Sequence, residues 1–195
     1  MEKKKEDIIL ITAFAVLLLA TGGLVLEEAG ITGMDVVSTS SQVAIQGYYA
    51  ISASDALSGG IDFGNVNSLP AYHVNATHNY NSTNDNKTEY YITVSSASNV
   101  NVDFCVKANS DLRTSGGDVI GLGNFTWEDD TTNSATVPAV YGSSLTTSYV
   151  TGSTAVAPGN DNYYRFWLNI SASQAVGTYN NTVHFQGVQQ GTSCS

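Results

Sequence analysis

Apolar residues recur at every second position in four stretches of the chain. In residues 89–98, Tyr90, Ile92 and Val94 alternate with Tyr91, Thr93 and Ser95. In residues 100–108, Val100, Val102, Phe104 and Val106 face one way, and Asn101, Asp103, Cys105 and Lys107 the other. Residues 163–171 set Tyr164, Phe166, Leu168 and Ile170 against Tyr163, Arg165, Trp167 and Asn169. Residues 179–188 turn Val183 and Phe185 inward and Thr182, His184 and Gln186 outward. A period of two is that of a half-buried β-strand. The first two runs are predicted to be neighbouring antiparallel strands.

Weaker strand signals lie at 42–51, where Val43 and Ile45 alternate and Gly47 marks a bulge, and at 61–66. Another covers 119–127, interrupted by Gly121 and Gly123 and ended by Glu128, Asp129 and Asp130. Residues 74–87 and most of 131–158 are polar, with short apolar runs in the second, and predict loops with one or two short strands. Ser171 to Val176 forms at most one helical turn. The pattern predicts an all-β chain, an immunoglobulin-like or jelly-roll β-sandwich of seven to nine strands. Irregular loops and polar outer faces exclude a transmembrane barrel.

The N-terminus has a different period. Lys3, Lys4 and Lys5 precede an uncharged, mostly apolar run at 8–26, and Glu27 and Glu28 end it. As a helix the run would be about 28 Å long, enough to cross a bilayer. The order basic, apolar, polar predicts a secretion signal or a signal anchor helix with its basic end cytoplasmic. Small residues at Thr21-Gly22-Gly23 and Ala29-Gly30 are imperfect cleavage points, so removal and uncleaved anchoring both stand. The organisation is then 1–29 as signal or anchor, 30–46 as an extension and candidate donor strand, and 47–195 as the sandwich.

Composition supports an extracellular, cell-surface location. The chain has 17 acidic and 7 basic residues, a formal net charge of -10, and only 12% charged residues. A chain this acidic is a poor binder of polyanions, so no nucleic-acid partner is expected. Six Asn-x-Ser/Thr sequons begin at Asn75, Asn81, Asn86, Asn124, Asn169 and Asn180. They predict N-linked glycans, which supply solubility where charge is sparse. The two cysteines, Cys105 and Cys194, form one disulfide in an exported chain or remain as free or intermolecular thiols.

Candidate chemistry is thin. His73, His78 and His184 have no evident carboxylate partner in the sequence, and no G-x-S-x-G or phosphate-loop motif occurs. The expectation is no enzyme and no cofactor beyond glycans. Glu128, Asp129 and Asp130 offer hard oxygen ligands for calcium, or else a solvated turn. Tyr163 and Trp167 mark a sugar-binding face, a subunit contact or a contact with a second sheet.

The strand Arg165-Phe166-Trp167-Leu168-Asn169-Ile170, the turn Gly177-Thr178-Tyr179, the closing strand to Gly187 and the segment Ile61-Asp62-Phe63-Gly64-Asn65-Val66 carry a resemblance. In layout the chain resembles small exported archaeal surface glycoproteins. Some of these are similar to archaeal threads and bundling pili and to the biofilm-matrix fibre subunits of bacteria. It departs from type IV pilins and archaellins, because no Gly or Ala precedes the apolar run as a prepilin cleavage point. The resemblance implies a homopolymer in which one subunit's N-terminal segment completes its neighbour's sandwich. Residues 35–46 would then be the donor, with Val36, Val37, Val43 and Ile45 entering the acceptor groove. Otherwise the same residues are the first strand of their own sandwich. The expected function is a structural subunit of an extracellular glycosylated filament, with a membrane-anchored monomeric adhesin or carbohydrate-binding module as the alternative. The membrane is a partner only through residues 8–26.

Overall fold

The computed structural model of the chain describes residues 40, 42–81, 83 and 85–195. The apolar run at 8–26 and the donor candidates Val36 and Val37 lie outside the described residues. Among the described residues, no helix is long and apolar enough to cross a membrane. The chain divides at Ile45, and Gln46–Ser195 forms one compact unit.

That unit is mostly β-strand, arranged in several antiparallel sheets. In chain order the described strands are β1 (Ile51–Ala53), β2 (Ala71–Asn75), β3 (Tyr91–Val94), β4 (Val102–Ala108), β5 (Leu112–Arg113), β6 (Val119–Ile120), β7 (Phe125–Asp130), β8 (Ser143–Ser144), β9 (Val150–Thr151), β10 (Asp161–Ile170) and β11 (Val183–Gln189). A short helix, α1 (Asp55–Gly59), follows β1. Its N-cap is Ser54, whose side chain accepts the Leu57 N–H at 3.2 Å. The largest sheet has the order β1-β3-β10-β7-β8, with β2 also on β10. A second sheet has the order β11-β4-β9, and β5 and β6 form a separate pair.

The longest strand, β10, is the axis. Its sequence of aromatic and branched residues suits a pleated, buried surface. Tyr164 and Phe166 project towards the second sheet, where both meet Phe185 of β11 at centroid distances of 5.0 and 6.2 Å. Phe166 also packs on Tyr90 at 5.4 Å and Phe125 at 6.2 Å, in edge-on geometry that suits aromatic quadrupoles. Replacing such a ring with a methyl group costs about 3–5 kcal/mol.

One edge of β10 is assembled from pieces. β3 pairs with Asp161–Tyr163, and β2 pairs with Trp167, Leu168 and Ile170. Backbone and side chains fill the gap between them together: Tyr164 N–H donates to the Tyr90 carbonyl at 2.9 Å and Ala76 N–H to the Phe166 carbonyl at 3.1 Å. The Asn79 amide accepts the Phe166 N–H at 2.9 Å and donates to the Phe166 carbonyl at 2.6 Å. The Thr88 hydroxyl donates to the Tyr164 carbonyl at 2.8 Å. Asn79 and Thr88 are 0% and 1% exposed, so these bonds replace a ladder where water cannot.

Several sequence expectations change. The runs 89–98 and 100–108 are not paired with each other; β3 and β4 lie in different sheets. The 61–66 run is not a strand. Asp62 Oδ1 accepts the Gly64 N–H at 2.8 Å, a local turn closed with Gly64 at φ 66°, and this competes with ladder formation. The 119–127 run splits into β6, a 3-10 turn at Leu122–Asn124 and β7. Of the 42–51 run, only Ile51 is in a strand. The 74–87 loop begins with the end of β2.

The outer face of β4 is not open to water. Asp103 and Cys105 are both buried. The C-terminal segment crosses them: Gly191 N–H donates to Asp103 Oδ2 at 2.8 Å, and Cys194 is bonded to Cys105 with Cα atoms 6.4 Å apart. Ala155 N–H donates to the other Asp103 oxygen at 2.7 Å. The bridged cysteines are 89 positions apart in the sequence. Replacing both cysteines with serine is expected to lower unfolding free energy by about 2–5 kcal/mol. Urea titration reads this directly, and an unchanged midpoint would mean that the Asp103 bonds hold the segment without the bridge.

Candidate functional site

Three surfaces carry candidate chemistry. The first follows from the free edge of β11. β11 pairs with β4 over its whole length, from Val183↔Ala108 to Gln189↔Val102. Its other edge has no ladder among the described residues. Towards its C-terminal end the Tyr49 hydroxyl donates to the Gly187 carbonyl at 3.1 Å. The first half opens onto a groove of about 890 Å³. Ile61, Phe63 and Val66 from the non-strand segment line one side, and Val183 and Phe185 the other. Leu69 is 39% exposed and Val176 fully exposed at this groove. Phe63 is held by edge-on packing against Phe125 at 5.3 Å. The groove is mixed in character: these apolar side chains pack against the core, polar ones such as Asn65, Gln174 and Asn181 share the lining, and a strand with unused backbone groups borders it.

Of the predicted donor residues, Val43 and Ile45 are described. They are 83% and 81% exposed and in no strand. Large apolar side chains exposed to that extent and spaced two apart form an unsatisfied apolar stripe if the backbone is extended.

The second surface is a cleft of about 1030 Å³ beside β1, β3 and β10. Asp55, Asp62, Glu89 and Asp161 make it acidic, and Tyr91 and Tyr163 supply aromatic surface. Tyr163 donates to Asp161 Oδ2 at 3.0 Å, and Thr93 donates to Asp161 Oδ1 at 2.6 Å. Burial, reinforced by the Asp161 carboxylate, pushes the Tyr163 phenol up to about 12. Trp167 is not part of this surface. It is 1% exposed and packs edge-on against Tyr141 at 5.4 Å, with His73 stacked on Tyr141 at 3.7 Å. The expected aromatic sugar platform therefore loses its tryptophan, because the loop joining β7 to β8 covers it. Gly142 lets that loop return: its φ is 66°, and a Cβ there would overlap the Trp127 carbonyl.

The same cover buries Arg165, which is 5% exposed. Its guanidinium donates to the Asn79 carbonyl at 3.3 Å and to the Ser134 carbonyl, lies 3.5 Å from Glu128 Oε1, and stands over the Tyr80 ring at 5.1 Å. Burial raises the Glu128 carboxyl above its ordinary value, against the pull of Arg165.

The three acids proposed for calcium do not converge. They lie within β7, so Glu128 and Asp130 point to one face and Asp129 to the other. Glu128 meets Arg165, Asp130 Oδ1 accepts Thr132 N–H at 2.8 Å, and Asp129 Oδ2 accepts from Ser153 N–H at 2.7 Å and Asn162 Nδ2 at 2.9 Å. Among the described residues, no three His, Cys, Asp or Glu side chains form a metal-binding group.

The third surface is the set of sequons. Asn75, Asn86, Asn124 and Asn180 are exposed, and Asn81 and Asn169 are half-buried. Asn169 Oδ1 accepts His73 N–H at 2.8 Å, which leaves its Nδ2 free for a sugar. Asn81 uses its Nδ2 to donate to Glu89.

Glu89 is a residue the sequence did not single out. His78 Nδ1 donates to its Oε2 at 2.5 Å. His78 thus has the carboxylate partner that sequence spacing did not reveal; it lies eleven residues away across a loop. Asn79 and Thr88 were equally hidden, one among 17 asparagines and the other within a sequon. No family model, curated protein or solved structure matches the chain.

The hydrogen bonds from His78 and Asn81 hold the Glu89 carboxyl below its ordinary value of 4.5. A depressed carboxyl stabilises the fold fully above its unfolded pKa and loses that contribution as pH falls through the folded value. Glu89→Gln is therefore expected to melt lower than wild type at pH 6–7, with the difference shrinking as both are acidified below the ordinary carboxylate range. Thermal melts from pH 7 to pH 3 check this; a difference that grows on acidification would reverse the assignment.

Proposed function

We propose that the chain is a structural subunit of an extracellular, N-glycosylated filament, joined by donation of residues 35–46 to the next copy. Within this reading the two larger sheets are the faces of one immunoglobulin-like or jelly-roll sandwich. The observation that carries it is the groove, lined in part by the apolar side chains of Ile61, Phe63, Val66, Val183 and Phe185, beside the unpaired first half of β11. A strand laid there gains backbone bonds from β11 and buries its alternate side chains against Phe185, Val183 and Ile61. Val43 and Ile45 have the required spacing and exposure. Such a contact is heterologous, so it propagates along a fibre, and it covers a sheet edge that would otherwise invite uncontrolled pairing.

The N-terminal apolar run supports export, and the sequons support glycosylation in that compartment. Sparse charge fits a matrix or coat component. No catalytic assembly is assigned, and the polymer is built from the chain itself.

A second reading, an anchored carbohydrate-binding or adhesive module, rests on the acidic cleft with Tyr91 and Tyr163. Their rings lie 5.9 Å apart. It predicts a monodisperse domain whose saturable glycan binding is lost in Tyr163→Ala.

The test of the filament reading is assembly of the full chain, followed by electron microscopy of material sheared from native cells. Val43→Asp with Ile45→Asp is expected to abolish filaments and leave a folded monomer by circular dichroism and sedimentation. Filaments that form at wild-type yield in this variant, or after deletion of residues 35–46, would overturn donation.

A further inference from the structure

Asn86 differs from the other sequon asparagines in the residue two positions on. Asn86 itself is exposed, with φ 56°, a left-handed conformation that asparagine tolerates. Its N–H donates to the Asn81 carbonyl at 2.8 Å, and Asn81 N–H donates to the Lys87 carbonyl at 3.0 Å, so the turn is closed by backbone bonds. Thr88, however, is 1% exposed. Its hydroxyl lies 2.8 Å from the Tyr164 carbonyl and 3.1 Å from the His78 carbonyl, and it accepts the Tyr90 N–H at 3.1 Å. The Asn133 side chain clamps its backbone: Thr88 N–H donates to Asn133 Oδ1 at 3.0 Å, and Asn133 Nδ2 donates to the Thr88 carbonyl at 2.9 Å.

A sequon is defined by its third residue as much as by its first. A transferase that demands Ser or Thr at that place must touch the hydroxyl. The other third residues are within reach in the folded chain: Thr77, Thr83, Ser171 and Thr182 are exposed and Thr126 is half-buried. Thr88 alone has its hydroxyl committed to the gap in the β10 edge.

The geometry points to Asn86 as a modification site open only before the fold closes. In the reaction, Asn86 Nδ2 bonds to the anomeric carbon of a sugar carried on a polyprenyl phosphate. The bond from that carbon to the phosphate oxygen breaks, the lipid phosphate leaves with the electron pair, and the amide proton passes to a base of the transferase. Once attached, the sugar projects from an exposed side chain and leaves Thr88 undisturbed. The order is therefore sugar first, then fold. Asn75 and Asn180, with exposed third residues, remain substrates of the folded chain.

The proposal rests on the exported-glycoprotein part of the reading above and not on filament assembly. The two fail separately. Sugar-free peptides at all six sequons in material from native cells would refute the glycoprotein reading. The order of events is tested on purified full chain made without a sugar donor. One portion is kept folded; another is reduced, alkylated at both cysteines and held unfolded. Each is incubated with an oligosaccharyltransferase and a polyprenyl-phosphate-linked oligosaccharide, and sequon occupancy is followed by peptide mass spectrometry.

The expected result is that Asn86 is modified at least tenfold more slowly than Asn75 in the folded chain, and at a comparable rate in the unfolded one. Asn133→Ala, which removes the clamp on Thr88, is expected to raise Asn86 modification in the folded chain and leave Asn75 unchanged. Equal rates at Asn86 and Asn75 in the folded wild type would overturn the proposal. So would an Asn86 that stays bare in the unfolded chain, because burial would then not be what protects it. The wild-type comparison decides the matter even if the variant does not fold.

Discussion

The edge of β10 between β3 and β2 is the constraint on which the unit depends. A central strand must satisfy its backbone groups on both edges, and here one edge lacks a continuous partner over Tyr164–Phe166. The side chains of Asn79 and Thr88 complete it, together with backbone bonds from Tyr90 and Ala76. The inward rings of Tyr164 and Phe166, which join the two larger sheets through Phe185, are set in place by a strand whose edge is completed in this way. The polar loop between β2 and β3 is therefore structural at its two ends, at Asn79 and Thr88, and exposed at its tip, at Thr83, Asp85 and Asn86.

β10 is also buried on both faces for most of its length, and the second layer comes from loops. Residues of the β2–β3 and β7–β8 connections lie over Arg165 and Trp167. Arg165 is satisfied by two backbone carbonyls and lies beside Glu128, so its charge is compensated where water is excluded. A single buried guanidinium thus pins two loops to one strand. The acids of β7 follow the same logic: each serves a neighbour on its own face, and the pleat keeps them from gathering around an ion.

The strands β3, β4, β10 and β11 were legible because their alternation is strong. Their inward residues, from Tyr90 to Phe185, are those the period selects. What the period does not carry is pairing, so β3 and β4 looked like neighbours although they belong to separate sheets. It also assumes that one face of a strand is wet, an assumption that failed at Cys105, Arg165 and Trp167, because their covers come from polar loops and the C-terminal segment. The 61–66 run failed for a local reason, the turn from Asp62 to Gly64. For the candidate sites, the sequons and cysteines could be read as motifs. The groove beside β11 could not, since its walls come from segments more than a hundred residues apart.

The burial of Arg165 also limits where a protease can cut the chain. Proteases of trypsin-like specificity must draw a lysine or arginine side chain into a deep pocket, together with several residues of extended backbone around it. From Gln46 onward the chain has only four such residues, Lys87, Lys107, Arg113 and Arg165. Arg165 sits in the centre of a sheet, and Lys107 belongs to β4 with its ammonium 4.2 Å from the centre of the Tyr149 ring. Lys87, in its loop, and Arg113, in a two-residue strand, are left as the accessible points of attack. A surface poor in cations is thereby also a surface with few handles for proteases of that specificity.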